Sequence, residues 1–197
     1  KNLLTRSITA SILFVLVISL ILAPVQYFLA GVAVLVAIAC WEWANLAGCR
    51  SIISRIAYSI VLFIGCFIIY AIAFITLFVP HIMLAAILGW LFALVAIVSY
   101  PKLVSWKIFT YVPRKIGLYI VGVWFIAPCV LGVIILQSSN VQLLFFPLTI
   151  IWAMDIGAYL VGKKYGKHKI IPKVSPGKSY QGLAGGIVCA AITIGVF

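Results

Sequence analysis

A carboxylate and a dense run of lysines stand close together near the carboxyl end of the sequence. Asp155 lies in an apolar stretch, and the 16 residues from Lys163 to Lys178 hold six lysines among glycines and prolines. Lysine ammonium groups neutralise phosphate oxygens as mobile point charges. Glycine and proline give the backbone a defined path that can present N–H groups to an anion. The pattern indicates a site for a phosphate-rich ligand.

The elements that must position this site are almost entirely apolar. Hydrophobic residues make up 66% of the chain and charged residues 8%, which excludes an ordinary water-soluble globule. Because an apolar run of about 20 residues crosses a bilayer, we predict an all-α, polytopic integral membrane protein. It has six complete transmembrane helices and the start of a seventh near Leu183. The predicted complete spans are Ile8–Ala23, Tyr27–Leu46, Ile56–Val79, Ile82–Tyr100, Ile116–Leu136 and Val141–Val161.

Charge predicts the orientation of these spans. With the N-terminus in the cytoplasm, all 14 lysines and arginines fall on the cytoplasmic side, as the positive-inside rule requires. The N-terminus and the basic loop, residues 162–182, are therefore expected in the cytoplasm. We expect residues 1–197 to form a single membrane domain and to be a fragment of a longer protein, because the first residue is not Met and the seventh apolar segment is short.

Asp155 is one of only two acidic residues. An ionisable group inside a span is costly unless it is paired, hydrated or bound to a ligand. The neighbouring Gly157 and Ala158 leave room for close approach, which favours a pocket that touches a metal ion or a ligand. The alternative, a structural partner for a lysine or a helix end, stays open.

The second acidic residue, Glu42, lies between Trp41 and Trp43 at the predicted membrane interface, with Arg50 close by. Long side chains at such a position extend their charged ends towards water. We predict that Glu42 either forms a structural ion pair or extends its carboxylate towards water.

Several familiar site types are excluded. The segment ending in Gly177-Lys178-Ser179 is similar to a phosphate-binding P-loop, but that motif needs glycine where the chain has Pro172. The five cysteines show no metal-ligand spacing, and we interpret them as packing residues. Gly182 and Gly186 form a small-residue pair typical of helix–helix contacts.

Two segments carry a resemblance to a known family. One runs Asp155-x-Gly157-Ala158-Tyr159-x-x-Gly162-x-x-x-Gly166-Lys167-His168-Lys169 and continues as Pro172-Lys173-Val174-Ser175-Pro176-Gly177-Lys178-Ser179-x-x-Gly182. The other is the Trp41-Glu42-Trp43 stretch. Together they closely resemble the phosphatidate cytidylyltransferases, also called CDP-diacylglycerol synthases.

The resemblance implies that CTP and phosphatidic acid give CDP-diacylglycerol and pyrophosphate, assisted by Mg²⁺. It implies catalytic roles for Asp155 and Lys178, with Asp155 also a candidate metal ligand. The implied substrate-binding residues are Tyr159, Lys167, Lys173, Ser175 and Ser179. Gln181 stands where many members carry Glu.

The family's carboxylate-rich signature lies C-terminal to this region, so the remaining metal ligands are expected beyond residue 197 and residues 1–197 alone are expected to be inactive. The implied location is the inner or plasma membrane, with the active site on the cytoplasmic face. Anionic membrane lipids are expected partners and nucleic acid is not, and oligomerisation is left open.

Three other functions stay open. A CTP-dependent lipid kinase of the polyprenol or phytol type is similar in topology, but it would release CDP instead of pyrophosphate. A transporter for an anionic solute would use the lysines as an attracting vestibule, although the apolar centres of the spans count against transport. A non-catalytic membrane protein would use the basic loops only to bind anionic lipid.

Overall fold

The computed structural model describes residues 2–76, 78–98, 114–172 and 175–197. Within these ranges the chain forms seven helices and one two-stranded antiparallel hairpin. The helices are α1 Asn2–Leu22, α2 Val25–Leu46, α3 Ile52–Thr76, α4 Val79–Val98, α5 Arg114–Ser139, α6 Val141–Tyr165 and α7 Tyr180–Val196. The strands are β1 Lys169–Ile171 and β2 Ser175–Ser179.

Five helices, α2 to α6, are long and apolar enough to cross a membrane. This confirms a multi-pass, predominantly helical membrane protein. The first predicted span is helical, but its apolar part, Ile8–Leu22, belongs to a shorter class of helix, as does α7. The expectation of an all-α chain missed the hairpin between α6 and α7, which is the one sheet among the described residues.

The third and fourth spans begin three to four residues earlier than predicted. The sequence suggested a break at Pro80, but Pro80 lies in the first turn of α4, where its missing N–H would have no helical partner anyway. Ser51 starts α3 by accepting a hydrogen bond from the Ser54 backbone N–H at 3.1 Å, a standard N-cap arrangement.

The chain divides into two compact units, Lys1–Ser138 and Ser139–Phe197, called here the N-terminal and C-terminal units. In the N-terminal unit α2 packs on α3, and Cys40 and Leu62 are fully buried. Polar side chains tie α5 to the same pair. The Trp43 indole donates to the Leu118 carbonyl at 2.7 Å, and the Tyr119 hydroxyl donates to the Val61 carbonyl at 3.3 Å.

In the C-terminal unit α6 and α7 approach closely because glycines face each other. A Cβ atom on Gly182 would lie 2.9 Å from the Ala158 carbonyl oxygen, and one on Gly186 would lie 2.9 Å from the Met154 carbonyl oxygen. This confirms the packing role predicted for the small-residue pair. Gly157 was expected to leave room for a ligand of Asp155, but that room is filled by Cys189 and the Gly185 backbone of α7.

We expect Gly157→Ala to destabilise the C-terminal unit. The new Cβ would lie 2.5 Å from Cys189 Sγ and 2.7 Å from the Gly185 carbonyl oxygen, and overpacking of this kind costs about 1–3 kcal/mol. Thermal unfolding in detergent would show a lowered transition temperature. Gly195→Ala is the matched control, since nothing lies within 4 Å of a Cβ at that helical position. Equal transition temperatures for the two variants would contradict close α6–α7 packing.

Candidate active site

The basic segment 162–182, expected to be a loop, consists largely of helix and strand in its described part. Helix α6 continues to Tyr165, and the antiparallel pairing joins Lys169 to Ser179 and Ile171 to Ser175. Between these pairs β1 advances by two residues and β2 by four, so β2 bulges at Pro176, Gly177 and Lys178. Such bulges redirect a side chain out of the regular ladder. Lys178 therefore lies in the bulge of β2 and not in the regular strand ladder.

Ser179 anchors the hairpin to the helix pair. Its side chain is 3% exposed, and its hydroxyl accepts the Gly182 N–H at 3.2 Å as the N-cap of α7. The opposing helix comes close at Gly166, where an added Cβ would lie 2.7 Å from Ser179 Oγ. The structure thus gives Ser179 a structural role at the junction between the hairpin and α7. A direct contact of Ser179 with substrate stays a prediction.

The hairpin brings together several of the expected substrate-binding residues. Lys167 and Lys178 are exposed, and Ser175 is half-buried at the start of β2. Neither lysine has an acidic partner among the described residues. Lys173 lies outside the described part of the chain. The hairpin is therefore a cationic element with ammonium groups available for an anion.

Two other lysines are engaged with aromatic rings of α6. The ammonium of Lys163 lies 5.6 Å from the Tyr159 ring centroid, and that of Lys164 lies 5.2 Å from the Tyr165 ring centroid. Such contacts are electrostatically favourable. Tyr159, expected to line the substrate pocket, is exposed on α6 beside Lys163.

Asp155 lies deeper along α6 than the sequence suggested. The helix end was expected at Val161, but it lies at Tyr165, ten residues beyond Asp155. Asp155 precedes Gly162, which lies beside the Ser179 N-cap, by seven residues, or about 10 Å along the axis. A ligand that touches both Asp155 and the hairpin must therefore be extended.

The Asp155 carboxylate is exposed on the helix surface and outside the α6–α7 contact. Within the described ranges it has neither an ion pair nor a hydrogen bond. An unpaired carboxylate in a membrane helix is costly, which favours contact with a ligand or with a cation.

The residues present do not form a complete magnesium site. Mg²⁺ takes oxygen ligands in octahedral geometry, and Asp155 is the only acidic residue of the C-terminal unit. Among the residues that the structure describes, no group of three or more His, Cys, Asp or Glu side chains could hold a metal ion. Asp155 can supply one protein ligand at most.

Glu42 forms the predicted structural ion pair, but with a different partner. Its Oε1 lies 3.3 Å from the Arg55 guanidinium, not against Arg50. Arg55 is held in place by the Trp41 ring, whose centroid lies 4.1 Å from Cζ, and by donation from its Nε to the Trp41 carbonyl at 3.1 Å. Arg55 lies one helical turn into α3, close to α2, whereas Arg50 lies in the turn that connects α2 to α3.

The N-terminal unit also contains a cavity of about 400 Å³ between α3, α4 and α5. Its lining is apolar apart from Tyr119 and Trp124. Without a cationic group this cavity offers nothing to a phosphate.

Sequence reasoning missed one contact in the hairpin. The Gln181 side-chain oxygen accepts the His168 backbone N–H at 3.2 Å, and its nitrogen lies 2.8 Å from His168 Nδ1. The placement of His168 between Lys167 and Lys169 indicated only that this histidine belongs to the basic segment. Nothing in the spacing indicated that Gln181, 13 residues away, would bind it.

Together these features define a class: a multi-pass membrane protein with a cationic hairpin at the end of a tightly packed helix pair. The chain belongs to the cytidylyltransferase family, whose sequence profile matches residues 4–197. It is 30% identical to the phosphatidate cytidylyltransferase of Pseudomonas aeruginosa, over 92% of this chain and 65% of that protein.

The phosphatidate cytidylyltransferase of Haemophilus influenzae is also 30% identical, over 98% of this chain and 71% of that protein. The Bacillus subtilis enzyme of the same name is 34% identical over 54% of this chain and 40% of its own length. The chain therefore spans about two-thirds of the length of the first two relatives. No solved structure matches the chain significantly.

Proposed function

We propose that the protein containing this chain transfers a cytidylyl group from CTP to phosphatidic acid, giving CDP-diacylglycerol and pyrophosphate. The observation that carries the proposal is the hairpin. In a member of the cytidylyltransferase family, it places beside a membrane helix pair lysines that have no acidic partner among the described residues. Both substrates are anions, one soluble and one held in the bilayer. A cationic element at the end of a membrane helix suits both.

The reaction is a displacement at phosphorus. A phosphate oxygen of phosphatidic acid bonds to the α-phosphorus of CTP, and the bond from that phosphorus to the bridging oxygen breaks to release pyrophosphate. Negative charge builds up on the leaving group, and ammonium groups that neutralise it lower the barrier. We assign this neutralisation to Lys178, with Lys167 and Lys173 binding phosphates and Ser175 donating from its hydroxyl.

Tyr159 and Asp155 form the other part of the proposed site. Counted from Gly162, Tyr159 lies about one turn and Asp155 about two turns closer to the middle of α6. Because Asp155 lies about 10 Å along the axis from Gly162, it would contact the end of the ligand remote from the hairpin. We include Mg²⁺ as a proposed cofactor with Asp155 as one ligand. No reaction step is assigned to the metal, since the described residues do not complete its coordination.

The membrane setting is part of the proposal. We infer six complete spans, a cytoplasmic N-terminus and a site on the cytoplasmic face of the inner or plasma membrane. The one-sided distribution of the 14 basic residues supports this orientation. The same residues would bind anionic lipid head groups, and oligomerisation is compatible with this arrangement.

The test uses full-length protein in detergent micelles with phosphatidic acid and CTP labelled at either the α- or the γ-phosphate. The proposal requires the α-label in lipid and the γ-label in pyrophosphate. In a parallel assay with a polyprenol as the acceptor, the γ-label in lipid, with release of CDP, would instead identify a lipid kinase. Label in neither product, from protein that binds anionic vesicles, would leave a lipid-binding role. No observation on the described residues favours either alternative.

A further inference from the structure

The contact between Gln181 and His168 fixes the orientation of the His168 ring as well as the position of the hairpin. His168 immediately precedes β1, and Gln181 lies in the first turn of α7. Besides the two side-chain contacts, the Tyr180 N–H donates to the His168 carbonyl at 3.0 Å. Three hydrogen bonds thus tie the residue before β1 to the start of α7, although its side chain is exposed.

The direction of these bonds follows from the backbone. A backbone N–H can only donate, so the Gln181 atom that faces the His168 N–H at 3.2 Å must be the oxygen. The side-chain nitrogen then faces His168 Nδ1 at 2.8 Å and must donate to it. Nδ1 is therefore the acceptor, and in the neutral ring the proton sits on Nε2.

The neutral Nε2–H has no hydrogen-bond partner in the described part of the chain. In the sequence His168 is flanked by two exposed lysines, Lys167 and Lys169. Ammonium groups attract a phosphate from any direction, whereas a fixed ring N–H adds a directional bond without a further charge. The arrangement is suited to orienting one phosphate oxygen among several.

We propose that His168 donates a hydrogen bond from Nε2 to a phosphate oxygen of a substrate, and that Gln181 is the positioning residue that fixes the ring for this contact. The inference rests on the proposed function, because it takes the phosphates to be those of CTP or phosphatidic acid. Both substrates offer the same chemistry, and kinetics can separate them.

The test uses full-length protein and His168→Asn. The asparagine amide oxygen lies close to where Nδ1 was, so it can still accept from Gln181, but the outward donor is lost. We expect the KM for the substrate in contact to rise about tenfold, the usual effect of losing one hydrogen bond to a charged group, with a smaller change in kcat. A higher KM for CTP would show that His168 contacts a nucleotide phosphate. A higher KM for phosphatidic acid would show that it contacts the lipid phosphate. Unchanged KM values for both would overturn the proposal.

Gln181→Met tests the positioning role separately, because it removes both bonds from the side chain while leaving His168 in place. Nitrogen-15 NMR of labelled histidine should show an unprotonated Nδ1 and a protonated Nε2 in the wild type, and a mixture of tautomers in the variant. The same KM should rise. Identical spectra for the two proteins would overturn the role of Gln181.

The wild-type spectrum with and without CTP or phosphatidic acid keeps this proposal distinguishable from the proposed function. A shift of the Nε2 resonance on adding either compound supports the contact, whether or not turnover occurs. Turnover to CDP-diacylglycerol with no such shift would leave the proposed function standing and remove His168 from the site.

Discussion

Lys178→Gln is expected to lower kcat/KM for CTP about 10²–10³-fold, the usual effect of removing one group that neutralises charge in the transition state. Lys178 is exposed in the β2 bulge and has no acidic partner in the described ranges. Glutamine retains a polar side chain that is one bond shorter, so the loss would come mainly from the charge. Activity with both substrates, measured by release of pyrophosphate, is the readout.

Lys164→Gln is the matched control for this substitution. Lys164 lies on α6 against the Tyr165 ring and has no assigned part in the site. We expect little change in kcat/KM. If the two variants lost activity by similar small factors, the lysines would act only as a diffuse positive surface, and a lipid-binding role would be favoured over catalysis at this position.

Asp155→Asn is expected to reduce kcat about 10²–10³-fold, as for other groups that organise charge in a phosphoryl-transfer site, while leaving the unfolding temperature unchanged or higher. The stability expectation follows from the structure, because the carboxylate has no ion pair or hydrogen bond within the described ranges. Removing an unpaired charge from a membrane helix lowers the cost of burying that helix in lipid.

Glu42→Gln provides the comparison, since Glu42 is the only other acidic residue within residues 1–197. This substitution removes the ion pair with Arg55, in which the Glu42 side chain is 64% exposed. Exposed pairs of this kind contribute about 0–1 kcal/mol. We expect slightly lower stability and nearly full activity. A reversed outcome, with Asp155→Asn unstable and active, would show that Asp155 is a structural partner and would remove it from the proposed site.

The sequence by itself determined the membrane class, five of the helices and the place of the basic segment. These follow from hydropathy and charge, which depend on each residue's transfer energy and not on its neighbours in space. The small-residue pair Gly182 and Gly186 also predicted a helix contact correctly. The identity of the residues facing them on α6 was not predictable, and the space beside Gly157 was assigned to a ligand instead of to α7.

Tertiary structure decided the shape of the basic segment and the partners of its polar side chains. Ser175-Pro176-Gly177-Lys178-Ser179 has no alternating pattern and little strand propensity, so its pairing with β1 depends on hydrogen bonds made across the hairpin. Glu42 forms its ion pair with Arg55 and not with Arg50, because the packing of α3 against α2 places Arg55 beside Glu42. The bond from Gln181 to His168 depends on the start of α7 lying beside β1. The Glu42–Arg55 and His168–Gln181 contacts each join residues 13 positions apart in the sequence, a separation that only the folded backbone brings within hydrogen-bonding distance.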